Sequence, residues 1–282
     1  MNAVIEEKQL ESLLQGIDFP PAPTVLIDLD AELKKEEPDP REIARLISQD
    51  VALSGRVMLI ANSPAISNGN KLASINQAIA VLGNRNIFNL VVFQLLKLAL
   101  SEGQDDVSME RFWESSARAA SVAAELARRL RCVRPDIAYT FGLFHDCGIP
   151  LIMKRFPQAK EVLAAANAAE DRLFTEVEDA HLGTNHAVVG YFLAKRWQLP
   201  GFIAEGILHH HDYQSLRQIG GVSDTARALV ALSVLSEHII RLHGTGHGEQ
   251  EWVKAAEYAC AFFGLSLGAV DDLIDDMCDW MG

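Results

Sequence analysis

The chain has 282 residues, of which 49% are hydrophobic and 22% charged, a balance typical of globular proteins with one large domain or two small ones. Acidic residues outnumber basic ones, and the formal net charge is −13. Because phosphate groups and anionic lipid surfaces attract basic protein faces, this charge argues against nucleic acid and against a membrane surface as direct partners.

The cysteines and the first residues favour a cytoplasmic protein. Four cysteines are scattered along the chain without a C-x-x-C pair, at Cys132, Cys147, Cys260 and Cys278. The opening segment MNAVIEEKQL lacks the basic and then apolar pattern of a secretory signal. The most apolar stretch, residues 87–100, is too short to cross a bilayer. We therefore expect reduced thiols and a cytoplasmic location.

Helical signals dominate the first third of the chain. Asp39 and Pro40 combine a capping side chain with proline at the first helical position. Apolar residues then recur at helical spacing through residues 43–61. A capping-box pattern begins at Ser74, and Gly83 follows as a helix stop. These signals predict three helices before residue 84.

The polar segment SEGQDD, residues 101–106, is the best candidate for a boundary. We therefore predict an N-terminal helical lobe at residues 1–104 and a second lobe at residues 105–282. Helical periodicity continues through the second lobe, including residues 185–197, 201–211, 224–242, 250–263 and 267–280. No alternating strand pattern stands out, so the predicted fold class is all-α.

Histidines lie on the apolar faces of three predicted helices. His145 follows Phe141 by one helical turn, and Asp146 comes directly after it. His186 heads an apolar stripe on the next such helix, and His210 and His211 extend the stripe of a third. If these stripes share one core, the four histidines and the aspartate converge.

Two interpretations of this convergence stay open at the level of the sequence. Imidazole and carboxylate are the usual ligands of borderline divalent metals, and one ion satisfies several buried polar groups at once. Alternatively, each histidine donates to a backbone carbonyl and accepts from a neighbour without any metal. Ligand type does not identify the metal.

Several segments together resemble the HDOD family, the HD-related output domain, a degenerate branch of the HD-type metal-dependent phosphohydrolases. The resemblance covers residues 19–243. It rests on FPPAPTVLIDL, IARLISQDVALSGRVMLIANSP, LASINQAIAVLG, FWESSARAA, GLFHDCGIPLI, NHAVVGYFLAKRWQLP and EGILHHHD. It implies two helical lobes, with an HD-like helical core in the second.

The resemblance also implies which residues would hold metal. In similar two-metal enzymes, one ion uses an early histidine, the HD pair and a late aspartate, whereas the other uses the same aspartate, a later histidine and a His-His pair. The matching residues here are the HD pair His145-Asp146, the later histidine His186 and the pair His210-His211, with His209 as a rival in the last case.

Two positions depart from that pattern. The early histidine aligns with Ser115, which is a weak ligand, and the late aspartate aligns with Val234, which cannot coordinate. Glu237 and His238 lie within one turn of Val234 and could compensate. The resemblance therefore implies at most one residual divalent ion, held by Asp146 and the histidines after it.

The expected function is a stand-alone HDOD module of bacterial-type signal transduction, without hydrolase activity, that acts through a protein partner or a small ligand. The alternative is a metal-dependent phosphohydrolase acting on a nucleotide or cyclic dinucleotide through the residual HD site. The sequence leaves the oligomeric state open.

Overall fold

A computed structural model of the chain describes residues 14, 16–63, 71–101, 107–217, 220–245 and 250–282. Within these ranges the chain is helical and forms no strand, which confirms the all-α class. Contacts divide the chain into two compact units, one spanning Pro20–Asp105 and the other containing Asp106–Gly282. The segment MNAVIEEKQL and residues 102–106 of the predicted boundary lie outside the described residues.

The first unit contains five described helices, and the predicted capping signals are confirmed there. Asp39 accepts a hydrogen bond from the Arg41 backbone N–H, Ser74 accepts one from Gln77, and Gly83 has a φ of +82°. The helices are α1 (Thr24–Leu33), α2 (Pro40–Ser48), α3 (Val51–Ala61), α4 (Ile75–Leu82) and α5 (Asn84–Ser101).

The second unit contains the histidines. Its helices are α6 (Val107–Leu130), α7 (Pro135–Phe144), α8 (Gly148–Arg155), α9 (Ala159–Ala168), α10 (Phe174–Leu182), α11 (His186–Arg196), α12 (Gly201–His209), α13 (Asp224–Thr245), α14 (Gln250–Phe263) and α15 (Leu267–Met281), with a 3₁₀ turn at Tyr213–Leu216. Helix α6 packs along α7, α8 packs on α11, and α12 and α14 both pack against α13.

Two glycines allow the close helix contacts that position the histidines. A Cβ on Gly148 would lie 2.1 Å from the backbone oxygen of His186, so α8 can meet the start of α11 only with glycine there. A Cβ on Gly142 would lie 2.6 Å from the Cα of Ala120, which lets α7 approach α6 closely. Small residues at such crossings thus fix where the ends of α7 and α11 lie.

The histidines of the predicted site, His145, His186, His210 and His211, all lie at or next to helix ends. The helix predicted for residues 201–211 ends at His209, because the Asp212 backbone N–H bonds to the His209 carbonyl and closes a turn. His145 likewise follows the last residue of α7. The predicted helix over residues 201–211 thus ends two residues earlier than expected, whereas the predicted burial of the four histidine side chains is confirmed.

Among the described helices, none alone combines the length and apolar character needed to span a membrane. Two sharply bent helix pairs, α4 with α5 and α14 with α15, reach that length and composition together.

Candidate metal centre

Four side chains in the second unit converge at one point. Asp146, His186, His210 and His211 each offer one ligand atom, and these atoms all lie within 4.8 Å of one another. Asp146 follows α7, His186 is the first residue of α11, and His210 and His211 follow α12. We call these four residues the Asp-His cluster. Its composition fits binding of a divalent metal.

Three atoms of the cluster have the spacing expected of ligands that share one ion. The Nε2 atoms of His186 and His210 lie 3.0 Å apart, and each lies 3.4 Å from Oδ1 of Asp146. Atoms bound about 2.1 Å from one ion lie about 3.0–3.4 Å from each other. The 3.4 Å contacts are too long for strong hydrogen bonds, so they fit shared coordination better.

The positions of the ring protons support the same conclusion. Nδ1 of His210 donates to the Ile207 carbonyl at 2.7 Å, and Nδ1 of His186 donates to Glu178 Oε2 at 2.5 Å. In the neutral rings, both Nε2 atoms therefore present lone pairs to each other and to a carboxylate. The metal-free alternative places an additional proton on His186, whose pKa Glu178 raises, whereas a metal ion accepts all three lone pairs.

Hydrogen bonds to helix ends and carboxylates fix these rings. Ile207 belongs to the last turn of α12, whose carbonyls have no partner further along the helix, and the His210 ring bonds to one of them. Glu178 is fully buried, and its carboxylate orients the His186 ring. Metal-bound histidines commonly donate their other ring N–H to such an acceptor, which fixes the tautomer.

His211 is oriented by a buried carboxylate of α14. Its Nδ1 lies 3.1 Å from Oε2 of Glu251, and the Tyr213 hydroxyl donates to the same oxygen. Lys254 Nζ lies 2.7 Å from the other oxygen, Oε1. Burial disfavours the charged form of Glu251, but hydrogen bonds from His211, Lys254 and Tyr213 outweigh it and lower its pKa to about 2. A charged Glu251 thus holds His211 in place.

The electrostatic environment keeps two of the rings in the form that binds metal. Burial, together with the neighbouring His211, lowers the pKa of His210 to about 3. Burial also lowers the pKa of His211. Burial would lower the pKa of His186 as well, but Glu178 reverses that effect and raises it. At neutral pH His210 and His211 are therefore uncharged, as ligand imidazoles must be.

His145 lies beside the Asp-His cluster and faces other groups. Its Nδ1 donates to the Gly142 carbonyl at 2.9 Å, and its Nε2 lies 3.1 Å from Asp146 Oδ2 and 3.6 Å from Glu237 Oε1. Burial opposes a charge on this ring, but Asp146 and Glu237 outweigh it and raise the pKa of His145 to about 9. The assignment of His145 as a metal ligand stays a prediction.

Among the residues proposed for the late aspartate, Glu237 is the one that faces the site. Val234 is buried in a hydrophobic cluster that includes Val230 and Ala255. The ring of His238 stacks on Trp252, with centroids 3.9 Å apart. The alignment of the late aspartate with Val234 stays a prediction, and Glu237, about one turn further along α13, is the carboxylate that lines the cavity.

The cluster opens into a cavity of about 180 Å³. Asp146, His186 and His211 line one part of it. The remaining wall includes Phe112, Ser115, Ile149, Asn167, Phe174, Glu237, Ile240, Arg241 and Glu251. Ser115, aligned with the early histidine, therefore does lie at the site. His209, the rival for the His-His pair, instead has Nδ1 3.3 Å from Asp212 and is outside the cluster.

Several supporting residues were not predicted from the sequence. Glu178, Glu251 and Tyr213 orient two of the four ligand candidates, and Glu178 comes from α10, eight residues before His186. Nothing in the sequence distinguishes Glu178 or Glu251 from the many exposed acidic residues near them. Both residues are identified by their burial, which only the folded structure shows.

A helical unit in which an HD pair meets three later histidines at helix ends defines a protein of the HD type. The model of the HDOD domain family matches residues 19–213. The chain belongs to the HDOD family.

Solved structures agree with this family and fold. An HDOD domain protein of unknown function from Geobacter sulfurreducens is 26% identical, with 96% of this chain and 92% of that chain covered and a TM-score of 0.73. A protein from Shewanella amazonensis SB2B, provisionally named a phosphohydrolase, is 24% identical, with 94% of both chains covered and a TM-score of 0.71. At that identity the likeness shows the fold alone.

Two further relatives extend the comparison. A protein from Marinobacter aquaeolei VT8, provisionally named a signal transduction protein, is 20% identical, with 95% of this chain and 62% of that chain covered and a TM-score of 0.74. An uncharacterized protein of Treponema pallidum (strain Nichols) is 26% identical over 201 residues. That match covers 69% of this chain and 38% of the relative, so the chain spans well under half the length of that protein.

Proposed function

We propose that this chain is a regulatory HDOD module that binds one divalent metal ion through the Asp-His cluster and acts through a small ligand or a protein partner, without hydrolase activity. The observation that carries the proposal is the convergence of two Nε2 lone pairs and one carboxylate oxygen at separations of 3.0–3.4 Å. The metal would make this pocket a ligand-responsive site in a cytoplasmic, bacterial-type signalling protein.

The other half of the site supports the absence of hydrolysis. Two-metal catalysis assigns separate ions to the nucleophile and the leaving oxygen. Here the second position holds His145, whose Nε2 faces Asp146 and Glu237, and in the metal-free protein these carboxylates raise its pKa to about 9 against the effect of burial. Ser115 offers only a hydroxyl, and Val234 is buried in the hydrophobic cluster.

Two observations support the inferred signalling role. The fold is shared with the Marinobacter protein that is provisionally named a signal transduction protein. The net charge of −13 favours a protein or small-molecule partner over nucleic acid. Binding of the ligand or the metal would change the conformation of this unit, and the partner would recognise that change.

One observation favours a second candidate, a metal-dependent phosphohydrolase. Glu237 places a carboxylate 3.6 Å from Nε2 of His145 and on the wall of the same cavity. If His145 lost its proton, His145, Asp146 and Glu237 would offer three ligand groups for another ion. The Shewanella protein provisionally named a phosphohydrolase shares the fold.

Metal analysis of the purified protein, combined with phosphodiesterase and phosphomonoesterase assays, tests the two candidates together. We expect about one ion per chain after supplementation with Mn²⁺ or Zn²⁺, and no turnover. Metal-dependent turnover that disappears in a folded Asp146→Ala variant would contradict the first candidate and support the second. A chain that binds no ion under any supplementation would contradict both.

A further inference from the structure

We propose that Lys254 of α14 couples the Asp-His cluster to the segment between α9 and α10, residues 169–173, which we call the α9–α10 segment. Lys254 is a positioning residue, because it holds both this segment and the Glu251 carboxylate that orients His211. This inference rests on the proposed metal site, and it names the element through which metal occupancy would be transmitted to the protein surface.

The hydrogen bonds of Lys254 are the first observation. Its Nζ donates to the carbonyl oxygens of Ala169 at 2.7 Å and Arg172 at 2.6 Å. It also donates to Oε1 of Glu251 at 2.7 Å. A lysine ammonium has three N–H donors, so these three acceptors use all of them. The Lys254 side chain is only 14% exposed, and lysines that are buried to this degree are almost always paired.

The places of the two carbonyls in the chain are the second observation. Helix α9 ends at Ala168, so the carbonyl of the next residue, Ala169, lies beyond the hydrogen bonds of that helix. The helix dipole also favours a cation at this end. Arg172 lies two residues before α10 begins at Phe174. Lys254 thus holds the α9–α10 segment near both of its ends, while residues 170–172 between them are exposed.

Two routes connect Lys254 to the Asp-His cluster. The first runs through Glu251, because its Oε2 lies 3.1 Å from Nδ1 of His211. The second runs through the α9–α10 segment, because Phe174 follows Arg172 by two residues. The Phe174 ring stacks on His211, with centroids 5.3 Å apart and planes 14° apart. A carboxylate thus holds the edge of the His211 ring and an aromatic ring holds its face, and both supports are tied to Lys254.

The coupling follows from these shared supports. A metal ion that fixes His211 also restrains Glu251 and Phe174, and so limits the motion of the α9–α10 segment. By linkage, restraint of the segment strengthens metal binding by the same factor. A protein partner that contacts the exposed residues 170–172 would therefore sense metal occupancy without entering the cavity.

The first test is calorimetric titration of Mn²⁺ into the full chain. The proteins are the wild type, Lys254→Met, Glu251→Gln, the double variant and, as a matched control, Lys195→Met, which removes an exposed lysine of α11. Methionine keeps most of the length of the lysine side chain and removes its N–H donors. Circular dichroism confirms that each variant is folded, and Lys254→Gln replaces Lys254→Met if the latter is not folded.

We expect Lys254→Met to weaken Mn²⁺ binding about tenfold, because Glu251 then loses a bond that holds it against His211. Glu251→Gln should weaken binding about tenfold to a hundredfold. In the double variant, Lys254→Met should add no more than about threefold to the loss caused by Glu251→Gln alone, because its effect runs mainly through that carboxylate. Lys195→Met should leave the affinity unchanged. A lysine that only stabilises the fold would instead give the full product of the two single losses.

The second test measures hydrogen–deuterium exchange of the α9–α10 segment, with α6 as the reference for global stability. In the wild type, Mn²⁺ should slow exchange of residues 170–173 by about threefold or more relative to α6. In Lys254→Met, exchange of these residues should be faster without metal, and saturating Mn²⁺ should no longer slow it relative to α6. This readout needs no enzymatic activity.

The outcomes separate this inference from the proposed function. A wild type that binds neither Mn²⁺ nor Zn²⁺ overturns the metal site, and with it this inference. A wild type that binds metal with the same affinity as folded Lys254→Met or Lys254→Gln overturns the inference alone. A double variant that shows the full product of the single losses also overturns it, because Lys254 then acts independently of Glu251. Equal exchange of the α9–α10 segment with and without Mn²⁺ in the wild type overturns the coupling to the surface.

Discussion

Asp146 separates the site into two halves that use the same residue types differently. On the side of Oδ1, which we call the His186 half, the Nδ1 protons of His186 and His210 go to protein acceptors and the Nε2 lone pairs converge. On the side of Oδ2, which we call the His145 half, His145 lies between two carboxylates that keep it protonated. The arrangement of acceptors, and not the presence of histidine, decides whether each half holds a metal or a proton.

This contrast explains how the site can fit one ion in the His186 half alone. The His186 half keeps its supporting hydrogen bonds from α10, α12 and α14. The His145 half has Ser115 where a ligand would be needed, and a single proton satisfies its remaining polar groups. In the His145 half the ring donors face carboxylate and carbonyl acceptors, whereas in the His186 half two Nε2 lone pairs and Asp146 Oδ1 face one another, which a metal ion would satisfy.

Replacement of Asp146 should give the largest effect, because this side chain belongs to both halves. We expect Asp146→Ala to weaken Mn²⁺ or Zn²⁺ binding by more than about a hundredfold, because one ligand and its charge are lost. His145→Ala should change the affinity by no more than about tenfold. Calorimetric metal titration at pH 7 measures both. Equal losses in the two variants would mean that His145 coordinates and that the division into halves is wrong.

The helix contact beneath the His186 half provides the next largest effect. Gly148→Ala would place a Cβ 2.1 Å from the His186 carbonyl oxygen, and we expect a loss of about 2–3 kcal/mol in the free energy of unfolding. Gly201→Ala is the matched control, since a Cβ there meets nothing within 4 Å. It should change stability by no more than about 0.5 kcal/mol. Urea unfolding curves measure both, and similar losses would contradict the close contact.

A pair of isosteric changes compares the halves directly. Glu178→Gln weakens the acceptor that orients His186, so metal affinity should fall about tenfold to a hundredfold. Glu237→Gln changes a carboxylate of the other half and should alter metal affinity less than about threefold. The two variants make the same chemical change, from carboxylate to amide, one in each half. If Glu237→Gln has the greater effect on metal titration, the ion lies in the His145 half.

The sequence could predict which side chains converge but not the residues that support them. Asp146, His186, His210 and His211 could be grouped because each lies on or next to an apolar helical stripe and matches the HD pattern. The tautomers could not be predicted, because they depend on where helix ends leave carbonyls open, such as Ile207 beside His210. The carbonyls that are left open can be identified only once the helix boundary is known.

The sequence also could not fix which residue along a long helix faces the site. Val234 and Glu237 lie about one turn apart on α13, so both fit the same helical stripe and the sequence pattern does not separate them. The structure places Val234 in the hydrophobic cluster and Glu237 at the cavity. The all-α class, in contrast, follows from periodicity that is repeated over many residues and so tolerates local errors.

The smallest expected effect concerns the proton of the His145 half in chelator-treated protein. The pKa of His145 is about 9 in the folded state, above its ordinary 6.5. The stability contributed by this charge is therefore fully present below about pH 6.5 and is lost as the pH rises through about 9. Glu237→Gln removes one of the two carboxylates and should lower the folded pKa by about one unit, which corresponds to about 1.4 kcal/mol.

Ring resonances of His145, followed by NMR between pH 6 and 10, give that midpoint without reference to activity. A shift in Glu237→Gln, with no shift in Glu178→Gln, would show that the two halves titrate independently. An unchanged midpoint would mean that Asp146 alone retains the proton. In that case the Glu237 carboxylate does not affect the pKa of His145, although it lines the same cavity.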